Sequence, residues 1–90
     1  MLVLPPRLTQ AAAPACVRML QEGLQSQSGS ALVIDASGLA QFDSSALAVL
    51  LECRREASAR GRGFAVKGLP ARLRELATLY GVAGLLPAAP

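Results

Sequence analysis

Apolar positions along the chain follow two different spacings, and the change from one to the other marks out the elements. Leu2-Val3-Leu4 is a short apolar run that reads as a strand, halted or made an edge by Pro5-Pro6, with Arg7-Leu8 extending it past the prolines. Ala31-Leu32-Val33-Ile34 is continuously apolar, too short for a helix and β-branched at its end, which predicts a central strand with both faces covered. Phe64-Ala65-Val66-Lys67 predicts the next strand, and Gly68 turns out of it. Between these runs the spacing lengthens to three and four residues. Ala13, Cys16, Val17, Leu20 and Leu24 form one stripe of an amphipathic helix. Thr9 begins the turn before it, and Pro14 suits its first turn. Gln25-Ser26-Gln27-Ser28-Gly29-Ser30 ends it in a polar loop.

A second helix is predicted over about residues 44–59, with Leu47, Leu50, Leu51, Cys53 and Ala57 inward and Glu52, Arg55 and Glu56 outward. Arg60-Gly61-Arg62-Gly63 stops it. Pro70 is placed at the first position of a third helix carrying Leu73, Leu76, Ala77 and Tyr80, with Gly81 as its C-terminal cap. Tyr80 reads as an interface or core-edge aromatic. Val82-Ala83-Gly84-Leu85-Leu86 is a last apolar segment before Pro87. Strands alternating with helices predict an α/β fold, a small parallel or mixed β-sheet with right-handed crossovers. With 90 residues, no internal repeat and no linker, one domain over residues 1–90 is expected.

Composition narrows the classes. At 52% hydrophobic and 17% charged the chain is globular. With only Phe42, Phe64 and Tyr80 as aromatics, its core must be built from Leu, Val and Ala. So small a core is marginal, and a partner is expected to supply part of the stability. A net charge of +3 is too mild to imply nucleic acid, and no aromatics interleave the cations. Arg54-Arg55 and Arg60-x-Arg62 read as a solvated helix end. Cys16 and Cys53 share no metal or redox spacing and read as buried thiols. The chain has no histidine, which removes the commonest general base, and no phosphate-cradling glycine motif. No cofactor or metal is expected. The start lacks a basic leader, and no run approaches the ~20 apolar residues of a membrane span. A cytoplasmic protein without direct membrane insertion is expected.

The most informative stretch is Gln41-Phe42-Asp43-Ser44-Ser45-Ala46-Leu47-Ala48-Val49, six residues beyond Asp35. It places an acid and two hydroxyls where a helix begins. Backbone N–H groups there are unsatisfied and carry partial positive charge. Locally Asp43-Ser44 caps the helix. The same position also suits Ser44 to a phosphate or to a partner's acceptor. Asp35 and Asp43 flank one loop, yet with no base or metal cluster nearby they read as turn and cap residues rather than a catalytic pair.

These residues resemble the STAS domain (sulfate transporter and anti-sigma factor antagonist). Leu32-Val33-Ile34-Asp35-Ala36-Ser37-Gly38-Leu39 looks like its central strand and loop, and Phe42-Asp43-Ser44-Ser45-Ala46-Leu47 like its signature. Leu8-Thr9 with Ala12-Ala13-Pro14 looks like the start of its first helix. The stretch Pro70-Ala71-Arg72-Leu73-Arg74-Glu75-Leu76-Ala77-Thr78-Leu79-Tyr80-Gly81-Val82, with Leu85-Leu86-Pro87, is similar to MlaB-type STAS subunits. The resemblance implies a non-catalytic cytoplasmic subunit, peripheral to the inner membrane, that binds the MlaF-like ATPase of an ABC transporter moving phospholipids between bacterial membranes. It implies partner contact through Asp43, Ser44, Ser45 and Ala46 with the neighbouring Ser37 and Gly38. The alternative it leaves open is an anti-sigma factor antagonist, with Ser44 phosphorylated by an anti-sigma factor serine kinase. Ala46 stands where the family usually has Gly, and the first strand of the family looks truncated here, which would leave a sheet edge open to a neighbour.

Overall fold

The computed structural model describes residues 2–26 and 31–89. Strand β1 is Leu2–Val3, β2 is Arg7–Leu8, helix α1 is Ala13–Ser26, β3 is Ala31–Asp35 and β4 is Gln41–Phe42. Helix α2 is Ser45–Ala59, β5 is Gly63–Lys67, α3 is Ala71–Leu79, and a 3-10 turn covers Ala83–Leu85. The part of the expected polar loop at residues 27–30 lies outside the described residues.

A three-stranded sheet has the order β1-β3-β5, and β2 pairs with β4 as a smaller two-stranded unit. All these pairings are parallel. Leu2 stands opposite Ile34, which in turn faces Val66; Leu32 faces Phe64. The first strand does not run on past its prolines as expected: β1 ends at Val3, and Arg7–Leu8 is a separate strand that runs beside Gln41–Phe42. Pro5 and Pro6 cannot donate to a ladder, and Pro6 instead offers its carbonyl to the N–H groups of Ala40 and Gln41 at 2.8 and 2.9 Å. Beyond β5, Val66 forms an isolated parallel bridge with Ala88, so the chain end lies along the outer edge of the sheet.

Both crossovers advance in the same direction across the sheet, which places α1 and α2 on one face. They pack against each other there. The consequence is a correction to the strand expected to be covered on both faces. Leu32 and Ile34 are buried, whereas Val33 and Asp35 on the opposite face are only half-buried. The core lies under the helices, where Leu20, Leu24, Leu47, Leu50, Leu73 and Leu86 join the strand residues in one cluster. No polar or charged side chain among the described residues is buried.

Helix ends follow local chemistry. α2 and α3 both finish with a glycine at positive φ, Gly61 at 68° and Gly81 at 75°. The Arg62 N–H then reaches back to the Ala57 carbonyl and the Val82 N–H to the Ala77 carbonyl, the six-to-one bond of a Schellman ending. Pro70 sits one position earlier than expected, as the N-cap of α3 rather than its first residue. Arg62 is a second correction. Rather than lying in solvent it is half-buried, and its Nη1 donates to the Leu24 carbonyl at 3.2 Å. That carbonyl belongs to the last turn of α1, where helical partners have run out.

Candidate functional site

The segment between β3 and α2 is held by two aspartates, each fastening a turn. Asp35 Oδ1 accepts the Ser37 hydroxyl at 2.6 Å and the Ser37 N–H at 2.9 Å, closing an Asx turn at the end of β3. Eight residues on, Asp43 Oδ1 accepts the Ser45 N–H at 2.8 Å, while Asp43 Oδ2 accepts the Gln10 N–H at 3.1 Å. Donation by Ser37, hydroxyl first, holds the Asp35 carboxyl below its ordinary value. The Ser45 and Gln10 amides do the same for Asp43. A general acid at neutral pH needs the opposite shift. Both carboxylates are structural, in line with their reading as turn and cap.

The cap itself is divided differently from the expectation. Ser44 occupies the N-cap position of α2 but has φ −62° and ψ −17°, already helical, and its side chain makes no cap bond. A capping side chain normally needs an extended backbone to reach the next amides. Asp43, one residue earlier, takes over that role. Ser44 is left exposed, and its hydroxyl has no hydrogen-bond partner among the described residues.

Around Ser44 opens a groove of about 710 Å3. Arg7 and Thr9 contribute from β2 and the turn after it, Gln41 and Phe42 from β4, and Asp43 and Ser44 from the start of α2. Arg72, Leu76 and Tyr80 complete it from α3 and its C-cap. These three are spaced by four residues, so they form one helix stripe. The neighbouring stripe of Leu73 and Ala77 is buried in the core.

Of the six residues expected to meet a partner, the groove takes in Asp43 and Ser44. Ser45 is half-buried beneath them, and Ala46 is wholly buried. The methyl that Ala46 carries in place of the usual Gly therefore faces the core and stays out of the groove, where Ala also favours the helix. Ser37 and Gly38 are exposed but lie on the adjoining loop and do not line the groove. Gly68 backs that loop: a Cβ at this position would stand 2.6 Å from Ser37 Cβ.

Residue-by-residue reading misses Arg7, Arg72 and Leu76 as groove residues, and it finds Tyr80 only as an interface or core-edge aromatic. The Arg72, Leu76 and Tyr80 spacing is the available signal. No group of three or more His, Cys, Asp or Glu among the described residues is placed to hold a metal ion. No helix among them is long and apolar enough to cross a membrane.

A protein-family model described as "Mlab, STAS domain" matches residues 1–87 of the chain. No curated protein matches it at a significant level.

Proposed function

The chain belongs to the MlaB-type STAS domain family, a family of non-catalytic domains, and from that premise we propose that it is the STAS subunit of an ABC transporter for intermembrane phospholipid transport. In this reading residues 1–90 form one domain in the cytoplasm that binds the MlaF-like ATPase and supports its assembly and activity. It reaches the inner membrane only through the transporter complex.

The observation that carries the reading is the state of Ser44. Asp43 has relieved it of capping, so an exposed hydroxyl stands at the start of a 15-residue helix, on the rim of a groove, with no internal duty. A partner that supplies a complementary group there gains a hydrogen bond without breaking one. Ser37 and Gly38, on the neighbouring loop, form the outer part of the contact.

Binding of the purified chain to the purified ATPase, measured by biolayer interferometry, tests this. Ser44→Glu and Ser44→Arg each add bulk and charge at a packed contact and are expected to weaken binding. Wild-type affinity in both variants removes Ser44 from the interface.

One further observation favours a second reading, an anti-sigma factor antagonist. The same exposed hydroxyl is sterically open to phosphorylation, and a phosphate adds roughly −1.5 to −2 charge at neutral pH. Intact mass of the chain isolated from its host separates the two readings. A single phosphate mapped to Ser44 supports the antagonist, and an unmodified chain recovered with an ATPase supports the transporter subunit.

A further inference from the structure

The groove beside Ser44 has a charge pattern that the partner reading does not by itself explain. Arg7 and Arg72 enter it from two separate elements, β2 and α3, and both are exposed. Neither guanidinium pairs with a carboxylate among the described residues, although Arg55 on α2 does so with Glu52 and Glu56. The one acid lining the groove, Asp43, accepts from two backbone amides and forms no ion pair with either arginine, so the lining carries two cations against one carboxylate. The same lining carries apolar surface: half-buried Phe42 and Leu76, and Tyr80, which is 58% exposed.

We infer that the groove receives a short acidic segment of the partner ATPase, a carboxylate side chain held by Arg7 and Arg72 with an adjoining apolar side chain against Leu76 and Tyr80. This rests on the partner reading above and adds the chemistry of the partner's contact. Arginine suits it because the planar guanidinium presents paired donors that match a carboxylate's two oxygens. Tyr80 suits it because a large amphipathic ring gives contact area at small entropy cost and is enriched at interfaces. Charge placed at a rim also steers encounter, so the contact carries a salt dependence.

The test compares ATPase binding by the wild-type chain, the double reversal Arg7→Glu/Arg72→Glu, the neutral double variant Arg7→Gln/Arg72→Gln, and Ser44→Arg. Both arginines are exposed, so the folds are expected to remain intact, and thermal melts establish it. The reversal is expected to weaken binding by about tenfold or more, since it sets like charges against each other. The neutral pair should fall between reversal and wild type and lose most of the salt dependence.

If wild type binds, Ser44→Arg weakens binding and the reversal binds like wild type, the acidic contact is overturned while the partner reading stands. If wild type itself does not bind the ATPase, both fall. Co-sedimentation with phosphatidylglycerol vesicles supplies the last arm. Vesicle binding lost in the reversal, with ATPase binding unchanged, assigns the arginines to a lipid surface and overturns the inference.

Discussion

Asp43 Oδ2 accepts the backbone N–H of Gln10 at 3.1 Å, across 33 positions of sequence. The bond joins the turn before α1 to the start of α2, and the other oxygen of the same carboxylate caps α2 through the Ser45 N–H. One side chain thus fixes both the helix that carries Ser44 and the segment that follows Arg7. The shape of the groove depends on it.

Asp43→Ala is expected to lower the thermal midpoint, because it leaves two backbone amides without their acceptor. Ser44→Ala should leave the midpoint unchanged, since the Ser44 side chain makes no cap bond. A pair of thermal melts followed by circular dichroism checks both. The reverse ranking would mean that Ser44 is the cap in solution.

Stability should fall in acid through Asp35 and Asp43. Both folded-state values are depressed below the ordinary 3.8, by hydrogen bonds from Ser37 and from the Ser45 and Gln10 amides respectively. A depressed carboxylate favours the folded state above its unfolded value and loses that contribution as pH falls through the folded value. Stability from these two groups is therefore complete at neutral pH and lost below the usual carboxylate range. Urea titrations across that range should show a flatter acid limb in Asp35→Asn/Asp43→Asn than in wild type.

Gly68→Ala and Gly61→Ala separate two costs. Gly61 has φ 68°, and a Cβ there would meet nothing within 4 Å, so Ala bears the left-handed backbone alone, about 1–2 kcal/mol. Gly68 has φ 69° and would also drive its Cβ to 2.6 Å from Ser37 Cβ and 3.0 Å from Ser37 Cα. Adding an overpacking cost, its substitution should destabilise by about 2–5 kcal/mol. Urea unfolding midpoints measure the difference, and equal losses would show that Ser37 yields freely.

Cys53 should be inert to thiol reagents in the folded protein. It is buried on the core side of α2, and desolvation, reinforced by Cys16, Glu52 and Glu56, pushes its thiol up to about 12. The thiolate is the reactive species, so iodoacetamide at mildly alkaline pH should label Cys53 only after denaturant is added. Rapid labelling of the native protein would show that the α1–α2 contact opens.

Leu50→Ala removes a wholly buried side chain from the centre of the cluster. Such truncations cost about 2–5 kcal/mol, a large share of the stability of so small a domain. The variant is expected to lose its cooperative thermal transition or to show it shifted sharply downward. A melt indistinguishable from wild type would place Leu50 outside the stabilising core.

Much of the fold is legible in the sequence because its signals are local. Of the predicted stripe, Cys16, Leu20 and Leu24 are buried while Ala13 and Val17 are half-buried against the core, and Gly81 ends α3 as a glycine cap should. The buried stripe of α2 is wider than its spacing predicts. Ala46 and Val49 are buried beside Leu47, Leu50, Cys53 and Ala57, whereas Leu51 is half-buried. α2 meets both α1 and β5, so two sides of it are covered and a single-faced pattern understates its burial. β4 and the Val66–Ala88 bridge escape a sequence reading because pairings of one or two residues show no periodicity.

The sequence by itself determined where the three α-helices and the strands β1, β3 and β5 form, the family to which they belong, and that Ser44 stands at a helix start. Each of these rests on residues within a few positions of one another, where propensity and side-chain spacing act. Only the tertiary structure decided that Asp43 rather than Ser44 provides the cap, and that Arg7 and Arg72 share a groove with it. The cap is a bond between neighbours that the backbone angles of Ser44 decide, whereas the groove depends on parallel register and crossover direction, which bring residues 7, 43 and 72 together although no local pattern links them.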